Sequence, residues 1–164
     1  VWELRIMERH LMTLGPFSVD RNGLLQPASP EHFPSFSVRW RGRQLHARLI
    51  DRHGGGSDGE LEFTSQLGRV PSSAAPPNRA GQRETTLSLL RTLPSLAPPN
   101  WVIRLSADHS VTFATTTTVP FPTSAVSLIG LVTEQLLALA PYLGVLDEAG
   151  LDGPMAADLG MVNT

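Results

Sequence analysis

The chain has 164 residues, a net charge of −2 and 41% apolar residues, a size that suits one domain with a core of its own. The near-neutral balance gives no electrostatic reason to expect a nucleic-acid partner, and the apolar fraction is too high for a disordered chain. With no cysteine there is no disulfide, no thiolate nucleophile and no Cys-ligated zinc or iron–sulfur site.

All thirteen basic residues are Arg. That bias fits a GC-rich coding sequence better than guanidinium-specific recognition, which needs placed bidentate partners. The opening Val1-Trp2-Glu3-Leu4-Arg5-Ile6-Met7-Glu8-Arg9-His10 is charged throughout and has no secretory apolar stretch, so a cytoplasmic protein is expected. Val at position one suits a truncated or processed form.

Along the chain, Val1 to Leu14 mixes strand alternation (Trp2, Leu4, Ile6) with helical spacing (Met7, Leu11, Leu14), and strand is preferred. Gly15-Pro16 ends it, and Leu24 to Pro34 reads as irregular. From Ser35, the apolar set Phe36, Val38, Trp40 alternates with polar residues. A turn at Arg41-Gly42-Arg43 then leads into Leu45, Ala47 and Leu49, together a hairpin. The glycine run from Gly54 to Gly59 separates it from a third strand, Leu61 to Leu67.

Val70 to Gln82 has no periodicity and reads as a connection. A short helix is expected over Arg83 to Leu93, with Thr86, Leu87, Leu90 and Leu93 on one face and Pro94 ending it. A second hairpin pairs Trp101, Ile103 and Leu105 with Val111 to Val119 through a turn at Ala107-Asp108-His109. Its four threonines suit a pleated surface. Thr123 or Ser124 can then cap a long helix. Its buried stripe is Leu128, Ile129, Val132, Leu136, Leu139, Leu143 and Leu146, opposite Ser127, Gly130 and Glu134. Glu134, Gln135 and Pro141 argue for a core helix and against a membrane span. A kink is expected at Pro141, an end at Gly150, and a frayed tail over 151–164.

These elements predict an α+β fold: an antiparallel sheet of about five strands in the order β-β-β-α-β-β-α, with helices on one face, forming a single domain over residues 1–150.

No set of residues carries catalytic chemistry above its structural reading. Asp51, His53 and the Gly54–Gly59 loop could hold a ligand, but the loop leads into a strand and lacks the helix N-terminus of a phosphate site. His10, His32, His46, His53 and His109 show no metal-ligand spacing. Asp108, His109 and Ser110 are adjacent in a turn and point in different directions. Glu60 and Glu62 share a strand face at about 7 Å. The basic group Arg39, Arg41, His46, Arg48 and Arg52 lies on the polar side of the first hairpin. It could bind an acidic peptide, though a face salt-bridged to Glu60 and Glu62 is the simpler expectation.

The layout from Ser35 to Gly150, closest at Asn100-Trp101-Val102-Ile103-Arg104-Leu105 and at Val111 to Val119 followed by Pro120 and the helix from Ser124, resembles the type III secretion chaperone-like fold, including the YbjN-like proteins. That resemblance implies a non-enzymatic, dimeric protein that binds protein segments. The expectation is a protein-interaction or regulatory module with no catalytic residue, cofactor or metal. It would form homodimers and bind a protein or peptide, but neither nucleic acid nor membrane. Leu131 and Tyr142, at the margin of the long helix, and Arg39, Arg41 and Arg48 are the partner-binding candidates. The alternative is a small-molecule binder or enzyme with its site near Gly54–Gly59.

Overall fold

The computed structural model describes residues 12–29, 33–50, 58–73 and 77–153. Among these, the elements run β1 (Met12–Leu14), β2 (Phe17–Val19), β3 (Leu24–Pro27), β4 (Ser35–Trp40), β5 (Arg43–Ile50), β6 (Asp58–Arg69), α1 (Pro77–Leu96), β7 (Val102–Leu105), β8 (Ser110–Pro120), β9 (Thr123–Ser124) and α2 (Ala125–Glu148). The fold is mixed α+β. Its strands form two antiparallel sheets, not one: four strands in the order β1-β2-β3-β9 and five in the order β4-β5-β6-β8-β7.

The smaller sheet is what the sequence reading lacked. Its strands are two to four residues long, too short for side-chain alternation to stand out. Leu24 to Pro27, expected to be irregular, pairs with β2 through Phe17↔Pro27 and Val19↔Leu25 and with β9 through Leu25↔Thr123. Asp20 makes the β2–β3 turn, its Oδ1 accepting the amides of Asn22 and Leu24 at 2.8 Å each.

Contacts group the chain into two compact units. The first comprises Val1–Phe36, Ala47–Glu62 and Thr117–Gln135. Phe17, Leu25, Leu49, Leu61, Val119, Leu128 and Val132 are buried there. The Phe17 ring lies 6.2 Å from Phe36 and 6.4 Å from Phe121 between centroids. Ser124 caps α2, its Oγ accepting the Ser127 amide at 3.0 Å.

The second unit comprises Ser37–His46, Phe63–Thr116 and Leu136–Thr164. Leu45, Phe63, Leu67, Leu93, Val111, Phe113, Leu139, Leu143 and Leu146 are buried. The hairpin β7–β8 has the register Ile103↔Phe113 and Leu105↔Val111. Asn100 Nδ2 donates to Thr115 Oγ1 at 3.1 Å and to the Thr116 carbonyl at 3.3 Å, so part of the threonine run is fixed by hydrogen bonds as well as by its β-branched shape. Leu105 is exposed, because β7 is the edge strand.

α1 is longer than expected, whereas α2 runs between the ends expected for it. α1 begins at Pro77, where a missing amide costs nothing, and passes through Pro94 to Leu96. Pro94 lies in the last turn, so the helix loses at most one bond there. α2 likewise continues through Pro141. Its end is as expected: Gly150 has φ 91°, its amide donates to the Asp147 carbonyl at 3.1 Å, and the Leu151 amide donates to the Leu146 carbonyl at 3.0 Å. This is a Schellman cap. The chain does not fray directly after it, because Arg69 and Asp152 exchange backbone hydrogen bonds at 2.8 and 3.0 Å.

Arg43 is the least expected part of the core. Expected in the turn, it opens β5 and is buried. Arg41 and Gly42 make the turn, with φ of 48° and 72°. The Arg43 Nε donates to the Leu67 carbonyl at 2.6 Å, and its two Nη groups donate to the Asp147 carboxylate near the end of α2. Asp147→Ala leaves this guanidinium without its counter-charge. The expected cost is about 1–3 kcal/mol, below that of a fully buried pair because the carboxylate is half exposed. Urea unfolding checks this, and Arg43→Met combined with Asp147→Leu should recover most of the loss.

Candidate interaction surface

Between Ala125 and Leu146, the only charged residue of α2 is Glu134. Leu128, Val132, Leu139, Leu143 and Leu146 form the buried stripe, and Leu136 is half-buried. Ile129, expected in that stripe, is 64% exposed. At 100° per residue it turns away from Leu128 toward the opposite side. There Val126 is 80%, Leu137 65% and Val145 46% exposed, with Gly130 and Thr133 exposed among them.

α2 therefore carries a second apolar face turned outward. By length and composition it is also long and apolar enough to cross a membrane. Surface helices of monomeric proteins normally carry polar residues on the face away from the core, and contiguous apolar patches of more than a few hundred Å² mark interaction sites.

The residues expected to bind a partner fall in different settings. Leu131 and Tyr142 are half-buried. Tyr142 is engaged within the chain: its hydroxyl donates to the Leu96 carbonyl at 3.0 Å, and its ring lies 5.0 Å from Trp101. Trp101 in turn meets Phe113 edge-on at 4.7 Å. Arg39, Arg41 and Arg48 are exposed. Arg52 lies outside the described residues.

The basic face also makes contacts with aromatic rings. Among the described residues the ion pairs are Arg43–Asp147 and Arg69–Asp108, and neither includes Arg39, Arg41 or Arg48. The Arg41 guanidinium lies 5.0 Å over the Trp40 ring and that of Arg48 5.8 Å over Phe33. Each such contact contributes about 0.5–1 kcal/mol at an exposed site. His46 Nδ1 is 2.8 Å from Ser37 Oγ.

Of the alternative ligand loop, Asp51, His53 and Gly54 to Ser57 lie outside the described residues. Gly59 is a packing residue: a Cβ there would come within 2.9 Å of Leu49 Cδ1 and 3.3 Å of the Phe121 ring. Among the described residues no cluster of three His, Asp or Glu side chains could hold a metal.

The Asp108-His109-Ser110 turn holds itself together. Asp108 Oδ1 accepts the Ser110 hydroxyl at 2.7 Å and its amide at 3.2 Å, while Oδ2 is 3.3 Å from Arg69 Nη2. His109 takes φ 66°, a conformation that closes the turn, and its carbonyl accepts the Val70 amide at 2.9 Å. No known family, curated protein or solved structure matches this chain.

The Ser110 hydroxyl, then its amide, then Arg69 hold the Asp108 carboxyl below its ordinary value. A group depressed on folding contributes stability that is present above its unfolded pKa and is lost as pH falls through its folded value. Carboxyl NMR titration should therefore show Asp108 moving upward in Ser110→Ala. Asp108→Asn should remove this residue's share of the acid-side loss of stability.

Proposed function

We propose that the chain is a non-enzymatic protein-interaction module that pairs with a second copy of itself through the outward face of α2. The observation that carries this reading is the exposure of Val126, Ile129 and Leu137 along one side of a single helix.

Charge favours a second copy over a lipid surface. α2 has no basic residue, whereas helices that lie on anionic membranes carry Lys or Arg on the polar face. With Glu134 as the only charge before Asp147, two copies of the face meet with little repulsion, as a two-fold interface requires. Spacing favours it too. Val126, Gly130, Thr133 and Leu137 are all exposed and follow one another at spacings of four, three and four, which puts them on one side of the helix where a neighbouring helix can lie. A Cβ at Gly130 or Gly144 would meet nothing within 4 Å. These glycines weaken the helix by roughly 0.5–1 kcal/mol each without serving packing inside the chain, and they would let a second helix approach closely.

Light scattering after size exclusion should give twice the 17.7 kDa chain mass. Ile129→Glu and Leu137→Glu change exposed side chains, so thermal unfolding of the monomer should be little altered while dimerisation weakens by about tenfold or more, equivalent to about 1.4 kcal/mol. A wild-type protein that stays monomeric at every concentration overturns the proposal, as does one that instead floats with anionic vesicles.

A further inference from the structure

Among the described residues, the first hairpin has a free side. β4 ends the five-stranded sheet, with β5 as its neighbour and no strand on its outer edge among the described residues. An uncovered edge presents a row of backbone donors and acceptors that can template another strand. The side chains agree: Val38 and Trp40 of β4 are only half-buried, whereas Leu45 on the neighbouring strand is 4% exposed.

On the other face of the same segment, Ser37 and Arg39 are exposed, beside Arg41 at the turn and His46 on β5. Arg39 and Arg41 make no ion pair among the described residues. Arg41 is held over the Trp40 ring at 5.0 Å, and His46 is held by Ser37 at 2.8 Å. The edge is thus two-sided, with Arg39 exposed on one face and the incompletely covered Val38 and Trp40 on the other, Arg41 lying over Trp40.

We propose that the outer edge of β4 at Ser37–Trp40 binds an extended acidic peptide segment by strand addition, with acidic and apolar residues alternating along the ligand. The period of two dictates that alternation. One set of ligand side chains falls beside Arg39, and the next set falls beside Val38 and Trp40, within reach of the Arg41 guanidinium stacked there. The chain carries the same pattern in β6, the strand on the far side of β5, as Glu60-Leu61-Glu62-Phe63. This surface shares no residue with the α2 face, so the two proposals are tested independently.

The test is fluorescence anisotropy of the full chain with a labelled octapeptide of alternating Glu and Val. Three controls accompany it: the same peptide with Arg for Glu, one with alternate backbone amides N-methylated, and an oligothymidylate. The expected result is binding that weakens with salt and falls about tenfold or more in Arg39→Glu, equivalent to about 1.4 kcal/mol. Arg39→Lys should bind nearly as wild type, and the N-methylated and Arg peptides should not bind. Circular dichroism confirms that the variants fold. Absence of binding, equal binding of the N-methylated peptide, indifference to Arg39→Glu, or tighter binding of the oligonucleotide each overturns the proposal.

Discussion

A buried guanidinium has to be satisfied on every side, and Arg43 meets that requirement by joining three parts of its unit. Its Nε fixes the end of β6 through the Leu67 carbonyl, Nη1 lies 3.5 Å from the Arg41 carbonyl in the turn, and both Nη groups hold Asp147 in the last turn of α2. The cost of taking the charge out of water is offset only while all these partners stay in place. Two neighbouring contacts keep them there. The Schellman cap fixes α2 directly after Asp147, and the buried Thr86 hydroxyl on α1 reaches the Ala149 carbonyl at 2.8 Å.

With its end fixed in this way, the second half of α2 buries Leu139, Leu143 and Leu146. The rotation that buries those leucines also turns Leu137 outward, and along the same helix Val126 and Ile129 are exposed. A helix that is apolar on nearly every side cannot bury all of its sides against one sheet. The outward face is therefore a consequence of composition that the fold does not remove, and the proposed self-association rests on it.

Much of the five-stranded sheet was legible. Phe36 to Trp40, Leu45 to Leu49 and Leu61 to Leu67 alternate over enough residues to stand above noise, and Ser124 and Gly150 were readable as helix ends because capping chemistry is local. β2, β3 and β9 were not, since strands of two to four residues carry no period and are held by partners distant in sequence, as Leu25 is by Thr123. The candidate surface was half legible. Arg39, Arg41 and Arg48 are exposed as alternation predicts, but the stacking of Arg41 on Trp40 and of Arg48 on Phe33 was not legible. Helical phase places Tyr142 at the margin of α2 but does not reveal that its hydroxyl donates to the Leu96 carbonyl.

The sequence alone determined the α+β class, the absence of cysteine chemistry, the faces of the long strands and the presence of one strongly apolar helix, because periodicity, composition and capping act within a few residues. Only the tertiary structure decided that the strands form two sheets, that Arg43 lies inside and not in the turn, and that Val126, Ile129 and Leu137 remain outside. Each of these depends on which distant segment arrives to cover a given side chain. That is a matter of pairing and packing, which a local pattern cannot encode.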